Sequence, residues 1–188
     1  VPDFHGFEVR KALHFSTGGG VYQVSKGSTD YIMKEGRPYC GLDASGHDAI
    51  ARIKHEAQVL RALEELNGVP HIIDEFDAWE HHYIVETFEQ SMTLGRWLAL
   101  NYPFSRGKSA EATAQYLNTL QHVVKSLTQT LLQLHKEGYA HGDIQPHNII
   151  VNPDTNQAFF IDFETAILHN CDHALSIGTP GYFDSVND

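Results

Sequence analysis

The feature that most constrains this chain is a change of hydrophobic period part-way along it. From Leu117, apolar residues recur at Leu120, Val124, Leu127, Leu131 and Leu134, the three-and-four spacing of one helix face. Lys136 in the last turn and Gly138 just beyond supply a stop. The repeat predicts a long core helix, because about three heptads are too few for a coiled-coil seam. Nothing before Asp48 carries that period. Residues 9–15, 21–24 and 31–34 are instead short runs rich in β-formers, and the glycines 18–20 separate the first two. They predict a hairpin with an open glycine loop, then a third strand. One helix interrupts the strands: Ile50, Ile53, Ala57, Leu60 and Leu63 form a stripe over 48–66, with Asp48 at its start and Asn67-Gly68 as its stop. Residues 72–79 and 82–86 read as two more strands, 93–100 as a short helix and 101–109 as a loop. After the long helix, 149–151 and 158–161 read as strands around a turn. The expected class is α+β, with strands gathered in the first half and helices in the second.

Composition narrows the function. The 188 residues suffice for two small lobes around a shared cleft. A net charge of −11 has the wrong sign for gripping phosphate backbones, so nucleic acid is not an expected partner. Cys40 and Cys171 fit neither a disulfide framework nor a CxxC site, which points to a reducing, cytoplasmic setting. No apolar run approaches the ~20 residues of a membrane span. The histidines are densest at 81–82 and 169–173, but neighbours on a strand face opposite sides, so they do not read as a metal site.

The chemistry concentrates in two places. The loop 139–148 holds Asp143 and, five residues on, Asn148; Asp162-Phe163-Glu164 follows the last strand. One carboxylate here can orient a hydroxyl and accept its proton. An amide oxygen and a second carboxylate are the hard oxygen ligands that Mg²⁺ prefers. In the first half, a glycine loop brings backbone N–H groups close to phosphates because no Cβ obstructs the approach. Lys34 sits among Ile32 and Met33, and Glu56 lies on the apolar arc of its helix. Each would be costly to bury alone, so the two are expected to pair and leave the ammonium facing phosphate oxygens.

Glycine loop, Lys34, Glu56, Asp143, Asn148 and Asp162, in this order, resemble the protein kinase fold. The resemblance implies a bilobal α+β architecture. Residues 1–88 would be a β-rich lobe with a five-stranded sheet, helix 48–66 and a hinge; 89–188 would be a truncated helical lobe with catalytic loop 139–148, metal-binding segment 161–164 and an activation segment to 182. It implies ATP, or another NTP, against Ser16, Thr17, Gly18, Gly19, Gly20 and Val21, with Lys34 on its phosphates and Glu56 as that lysine's partner. Glu86 to Phe88 would be the hinge whose backbone meets the purine. Asp143 would be the catalytic base, and Asn148 and Asp162 the Mg²⁺ ligands. Departures from the usual pattern are the missing first glycine, Gly142 for the arginine before the catalytic Asp, Gln145 for the phosphate-contacting lysine and Glu164 for the last residue of DFG.

A more specific resemblance rests on Ala12 to Tyr22, Lys34-Glu-Gly-Arg-Pro-Tyr-Cys-Gly-Leu-Asp43, Arg52 to Pro70, IDFE and Gly178-Thr-Pro-Gly-Tyr182. These are similar to the kinase domain of class III lanthipeptide synthetases. That family implies Ser and Thr of a precursor peptide, leader and core, as substrate, with lyase and cyclase domains on the same polypeptide; the chain then reads as a piece of a longer one. Two other readings remain open at this point. HGD with IDF also resembles kinases of small molecules such as aminoglycosides or choline, and Gln145 with the imperfect glycine loop suits a pseudokinase-like module that binds nucleotide or leader peptide without transfer.

Overall fold

The computed structural model describes residues 3–43, 46–104 and 109–168. Its first part is a five-stranded antiparallel sheet in the order β1-β2-β3-β5-β4. The strands are β1 (Glu8–Ser16), β2 (Gly19–Lys26), β3 (Thr29–Gly36), β4 (Ile72–Ala78) and β5 (His81–Thr87). Alternation along β3 and β5 divides the sheet into two faces. Met33, Tyr83 and Val85 join Val24, Phe7 and Phe76 in one apolar cluster, capped by Phe4. Ile84 faces the other way and packs against Ile53 and Ala57 of helix α1 (Ala49–Ala62), which crosses that face. Lys34, opposite Ile84 in the ladder, and Glu86, two residues on, share the α1 side.

The second part packs α2 (Leu94–Asn101) and the long α3 (Ala110–Lys136) against short hairpin strands. Strands β6 (Met92–Thr93), β8 (Ile149–Val151) and β9 (Ala158–Phe160) form one small sheet, and β7 (Tyr139–Ala140) pairs with β10 (Ile167–Leu168). Asp48 and Ser109 cap the two main helices, each side chain accepting from the N–H three residues on. One core joins the parts. Val59, Leu60, Leu63, Leu66 and Val69, from the end of α1 and the turn after it, pack with Trp97, Val123, Leu134, Val151, Phe160 and Phe163.

Several expectations change. The helix expected over 48–66 ends at Ala62, because the Leu63 N–H is shared between the carbonyls of Val59 and Leu60 and tightens the last turn. Leu63 and Leu66 keep the apolar spacing yet reach the shared core from a turn. The glycine loop is not open: only Thr17 and Gly18 separate β1 from β2, and Ser16 stands opposite Gly19. On α3 the buried line is turned from the expected one. Val123 and Leu134 are buried, Leu120, Leu127 and Leu131 pack beside them, while Leu117 and Val124 are about half exposed. Strands β6, β7 and β10 are too short to show any sequence period. The segment Gly178 to Tyr182, the histidines of 169–173 and Cys171 lie outside the described residues.

Candidate active site

A groove of about 1890 Å³ runs between the two parts, more than the 300–1,000 Å³ usual for a small-molecule site. Ser16, Thr17, Gly18, Gly19, Gly20, Val21, Lys34, Glu56, Glu86, Phe88, Asn148 and Asp162 all line it. Asp143 joins them through Asn148.

At the inner end, Lys34 Nζ lies 2.6 Å from Glu56 Oε1 and 3.3 Å from Glu86 Oε1. The same Glu56 oxygen accepts the Phe163 N–H at 2.8 Å, so one carboxylate ties β3 to the segment that carries Asp162. Burial opposes charge on Lys34, but the carboxylates of Glu56, Glu86 and Asp162 outweigh it and hold the ammonium pKa above the ordinary lysine value. Burial pushes the Glu56 carboxyl up; Lys34 pulls it back and Asp162 adds to the rise. Two more residues of α1 reach the same segment. Arg52 Nε stands 3.3 Å from Glu164 Oε2, and His55 Nε2 is 2.7 Å from the Ala166 carbonyl oxygen. Arg52, His55 and Glu56 lie on one helix face, so α1 is fixed against this segment along a full turn. Burial and repulsion from Asp162 raise the Glu164 carboxyl to about 7 against the pull of Arg52.

Below them the loop 139–148 is bonded mostly to itself. Asn148 Nδ2 donates to Asp143 Oδ2 at 2.8 Å and to the Asp143 carbonyl at 3.1 Å; Gln145 Nε2 donates to Asp143 Oδ2 at 2.9 Å. Buried His141 accepts the Asp143 N–H at Nδ1, which leaves Nε2–H to donate to the Ile161 carbonyl at 3.1 Å, just before Asp162. Burial lowers the His141 pKa, so the ring is neutral and works as a strut. Asp162 itself has φ 68°, a conformation uncommon for a residue with a Cβ and one that tends to accompany functional sites. Gly142 has φ 85°, and a Cβ there would strike the Thr165 carbonyl. The position where kinases usually carry arginine therefore has no room for a side chain.

Three features depart from the sequence reading. The need for glycine at 19 and 20 comes from their own neighbours: a Cβ on Gly19 would land on the Glu35 carbonyl, and one on Gly20 on the Tyr22 ring. The Gly18 carbonyl is held by the Arg37 N–H at 2.8 Å. Glu86 is not at a free hinge. Its backbone sits inside the ladder opposite Ile32 and Ile72, and what it turns to the groove is a buried side chain; Phe88 lies just past the strand end. Arg52 and Gln145 acquire partners that no local motif announces, although Arg52 stands one turn before Glu56 and so had to share its face.

The donor set suits a hard cation. Because Asn148 Nδ2 is spent on Asp143, its Oδ1 is the end of the amide left for a cation, and Asn148 and Asp162 both line the groove. Among the described residues no group of three His, Cys, Asp or Glu side chains could hold a metal alone. An ion held by two protein oxygens would take its remaining ligands from water and phosphate.

The lipopolysaccharide kinase (Kdo/WaaP) family matches residues 50–173, from α1 through the loop 139–148 and beyond Asp162. The chain belongs to this family. Relatives of this family member include a probable SapB synthase of Streptomyces coelicolor, 32% identical over 94% of the chain and 19% of the relative. CDPK-related kinase 5 of Arabidopsis thaliana is 29% identical over 61% of the chain and 18% of its own length. Serine/threonine-protein kinase PrkC of Bacillus subtilis is 27% identical over 58% and 15%. The chain spans less than a fifth of the length of each of these three relatives. Family and relatives give the chain a kinase-like fold, and it resembles the kinase domain of class III lanthipeptide synthetases. Among the described residues no helix is long and apolar enough to cross a membrane.

Proposed function

We propose that this chain is the kinase part of a class III lanthipeptide synthetase, transferring the γ-phosphoryl group of ATP or another NTP to Ser and Thr of a precursor peptide in the cytoplasm. The observation that carries the reading is the Glu56 oxygen shared by the Lys34 ammonium and the Phe163 N–H, which supports pairing a lysine for phosphate with the neighbouring Asp162 for metal. Lys34 holds α- and β-phosphate oxygens as a fixed charge. Asp143 orients the peptide hydroxyl and takes its proton, while Gln145 and Asn148 hold the carboxylate in place. Asn148 Oδ1 and Asp162 would hold Mg²⁺, which when bound neutralises charge on the phosphates. Leader and core of the peptide, and lyase and cyclase domains of the same polypeptide, are the partners this reading requires.

A second reading, transfer to a hydroxyl of a small molecule, draws on the family match, whose description names a non-protein acceptor. A pseudokinase role is less favoured, because a pure binding module has no need of Asp143, Asn148 and Asp162 together. The deciding experiment incubates the full-length protein with Mg²⁺, γ-labelled ATP and either precursor peptide or a panel of aminoglycoside, choline and lipopolysaccharide core sugar. Label on peptide Ser and Thr is expected, and with the lyase domain disabled the peptide should gain one phosphate per modified residue. Dehydrated peptide from the lyase-disabled protein would refute the division of labour. Label on a small molecule with untouched peptide would move the assignment to the second reading, and no transfer at all to the third.

A further inference from the structure

Phosphoryl transfer asks for more positive charge than the residues so far placed supply. As the group leaves, negative charge spreads over its three outer oxygens and calls for a fixed cation beside them. Lys34 is committed deeper in the groove, 2.6 Å from Glu56 and 3.3 Å from Glu86, whose carboxyl burial raises to about 7 against the pull of Lys34. Around Asp143 the loop offers the amides of Gln145 and Asn148, both spent on its carboxylate. Of the other lysines and arginines that line the groove, Lys11 stands on β1 opposite Gln23, back from the hairpin turn, and Arg96 on α2. Arg52 lies where the hairpin turn, α1 and the Asp162 segment meet. It is on α1 one turn before Glu56 and lines the groove. Its Nη1 donates to the Gly41 carbonyl, and Glu164 stands 3.3 Å from Nε, which makes no hydrogen bond. Nη2 lies against the hairpin turn: a Cβ on Gly18 would stand 3.4 Å from it, and one on Gly41 3.0 Å. Glycine at both positions leaves room for the guanidinium. Gly41 takes one of its N–H groups, and a fork of donors remains. A phosphate chain that starts at Lys34 and runs toward the hairpin turn meets this fork one helical turn further on.

We propose that Arg52 is a catalytic residue whose guanidinium binds the γ-phosphoryl group of the nucleotide and stays on it during transfer. The inference rests on the nucleotide reading of the groove and deepens it. In the step, the acceptor oxygen bonds to the γ-phosphorus as its proton passes to Asp143. The bond from that phosphorus to the β–γ bridging oxygen breaks, and the oxygen keeps the electron pair in the departing diphosphate. Arg52 remains protonated throughout and meets the outer oxygens with charge-assisted hydrogen bonds, for which a planar fork is well shaped. Gly41 and Glu164 hold the guanidinium in its place beforehand, so little ordering is left to do when the phosphate arrives.

The test compares ATP with ADP, which differ only in the group that Arg52 would hold. In calorimetric titration of the full-length protein with Mg²⁺, Arg52→Gln should lose about tenfold or more in affinity for ATP and little for ADP. Its kcat should fall by a similar factor or more. Glu164→Gln breaks the ion pair but keeps the guanidinium, so its ATP-to-ADP ratio should remain that of wild type. Equal losses for ATP and ADP in Arg52→Gln, or the same fall of the ratio in Glu164→Gln, would make Arg52 a prop for its segment. Either result would overturn the assignment and leave nucleotide binding standing. Should Arg52→Gln not fold, wild type decides alone: phenylglyoxal should modify Arg52, read by peptide mass spectrometry, and ATP should protect it where ADP does not. An Arg52 that is unreactive in the free protein, or shielded equally by both nucleotides, would overturn the proposal. No binding of either nucleotide would overturn the nucleotide reading itself and this proposal with it.

Discussion

The cluster around Lys34 and the cluster around Asp143 are built on different plans. The first gathers charged side chains from β3, α1 and β5 and a backbone N–H from the segment after β9, over sequence separations of 22 and 107 residues. Its side chains are deeply buried, Lys34 at 14% exposure and Glu56 at 2%. The second is a loop bonded to itself at separations of 2 and 5 residues, by neutral amides around one partly exposed carboxylate. The difference teaches where each is vulnerable. Ionic groups buried together are costly to separate, and here the Phe163 N–H from the other part completes the set. A loop held by local hydrogen bonds keeps its shape when one charge is changed, so damage there should fall on chemistry alone.

The largest effect expected is the loss of turnover in Asp143→Asn. Its kcat should fall by at least about a hundredfold, while nucleotide affinity and melting temperature stay near wild type. Asn retains an acceptor for Gln145 and Asn148. Equal losses in radiolabel transfer and in nucleotide titration would break the contrast with the Lys34 cluster.

Lys34→Met comes next and should cost stability as well as activity, about 3 to 5 kcal/mol by denaturant melts, because it leaves Glu56 and Glu86 facing each other unpaired. Glu56→Gln should cost less, since Lys34 still has Glu86. The double variant should lose far less than the sum, and additivity in the cycle would refute the pairing.

A smaller effect follows from pH. A carboxyl raised above its unfolded value holds extra protons in the native state, so its contribution to stability is full below the unfolded value near 4.5 and is lost as pH rises through about 7. Melting temperatures of wild type and Glu86→Gln measured from pH 5 to 8 should therefore diverge in the variant's favour as pH rises. Parallel curves would show that Glu86 does not titrate in that window.

The smallest effect is at Thr165, which is buried and donates its hydroxyl to the His141 carbonyl at 3.2 Å. Thr165→Ala should cost about 1 kcal/mol and leave activity standing. Mass spectrometry should find Thr165 unmodified in active enzyme, because Gly142 supplies no cation for a phosphate there and packs against the Thr165 backbone.

These contrasts follow what each kind of information reaches. Period and spacing alone made the five main strands, the three helices and the order of the chemical residues legible, because alternation and the 3.6-residue turn are local properties of the chain. The Asp143 to Asn148 loop was legible for the same reason: its partners are near neighbours. The buried partnership of Lys34 with Glu56 was inferable only as the answer to two charges that neither element could bury alone. What tertiary structure decided lies further from local rules. Which face of α3 is buried depended on the parts it packs against, so Val123 went inside and Leu117 did not. The glycine at 19 proved to be required by the Glu35 carbonyl on the neighbouring strand, while the one at 20 faces the ring of Tyr22 two residues on. Glu86 entered the groove because pairing of β5 with β3 and β4 fixed its register. A one-residue change in that pairing would have turned its side chain to the opposite face, and nothing local to the strand distinguishes the two.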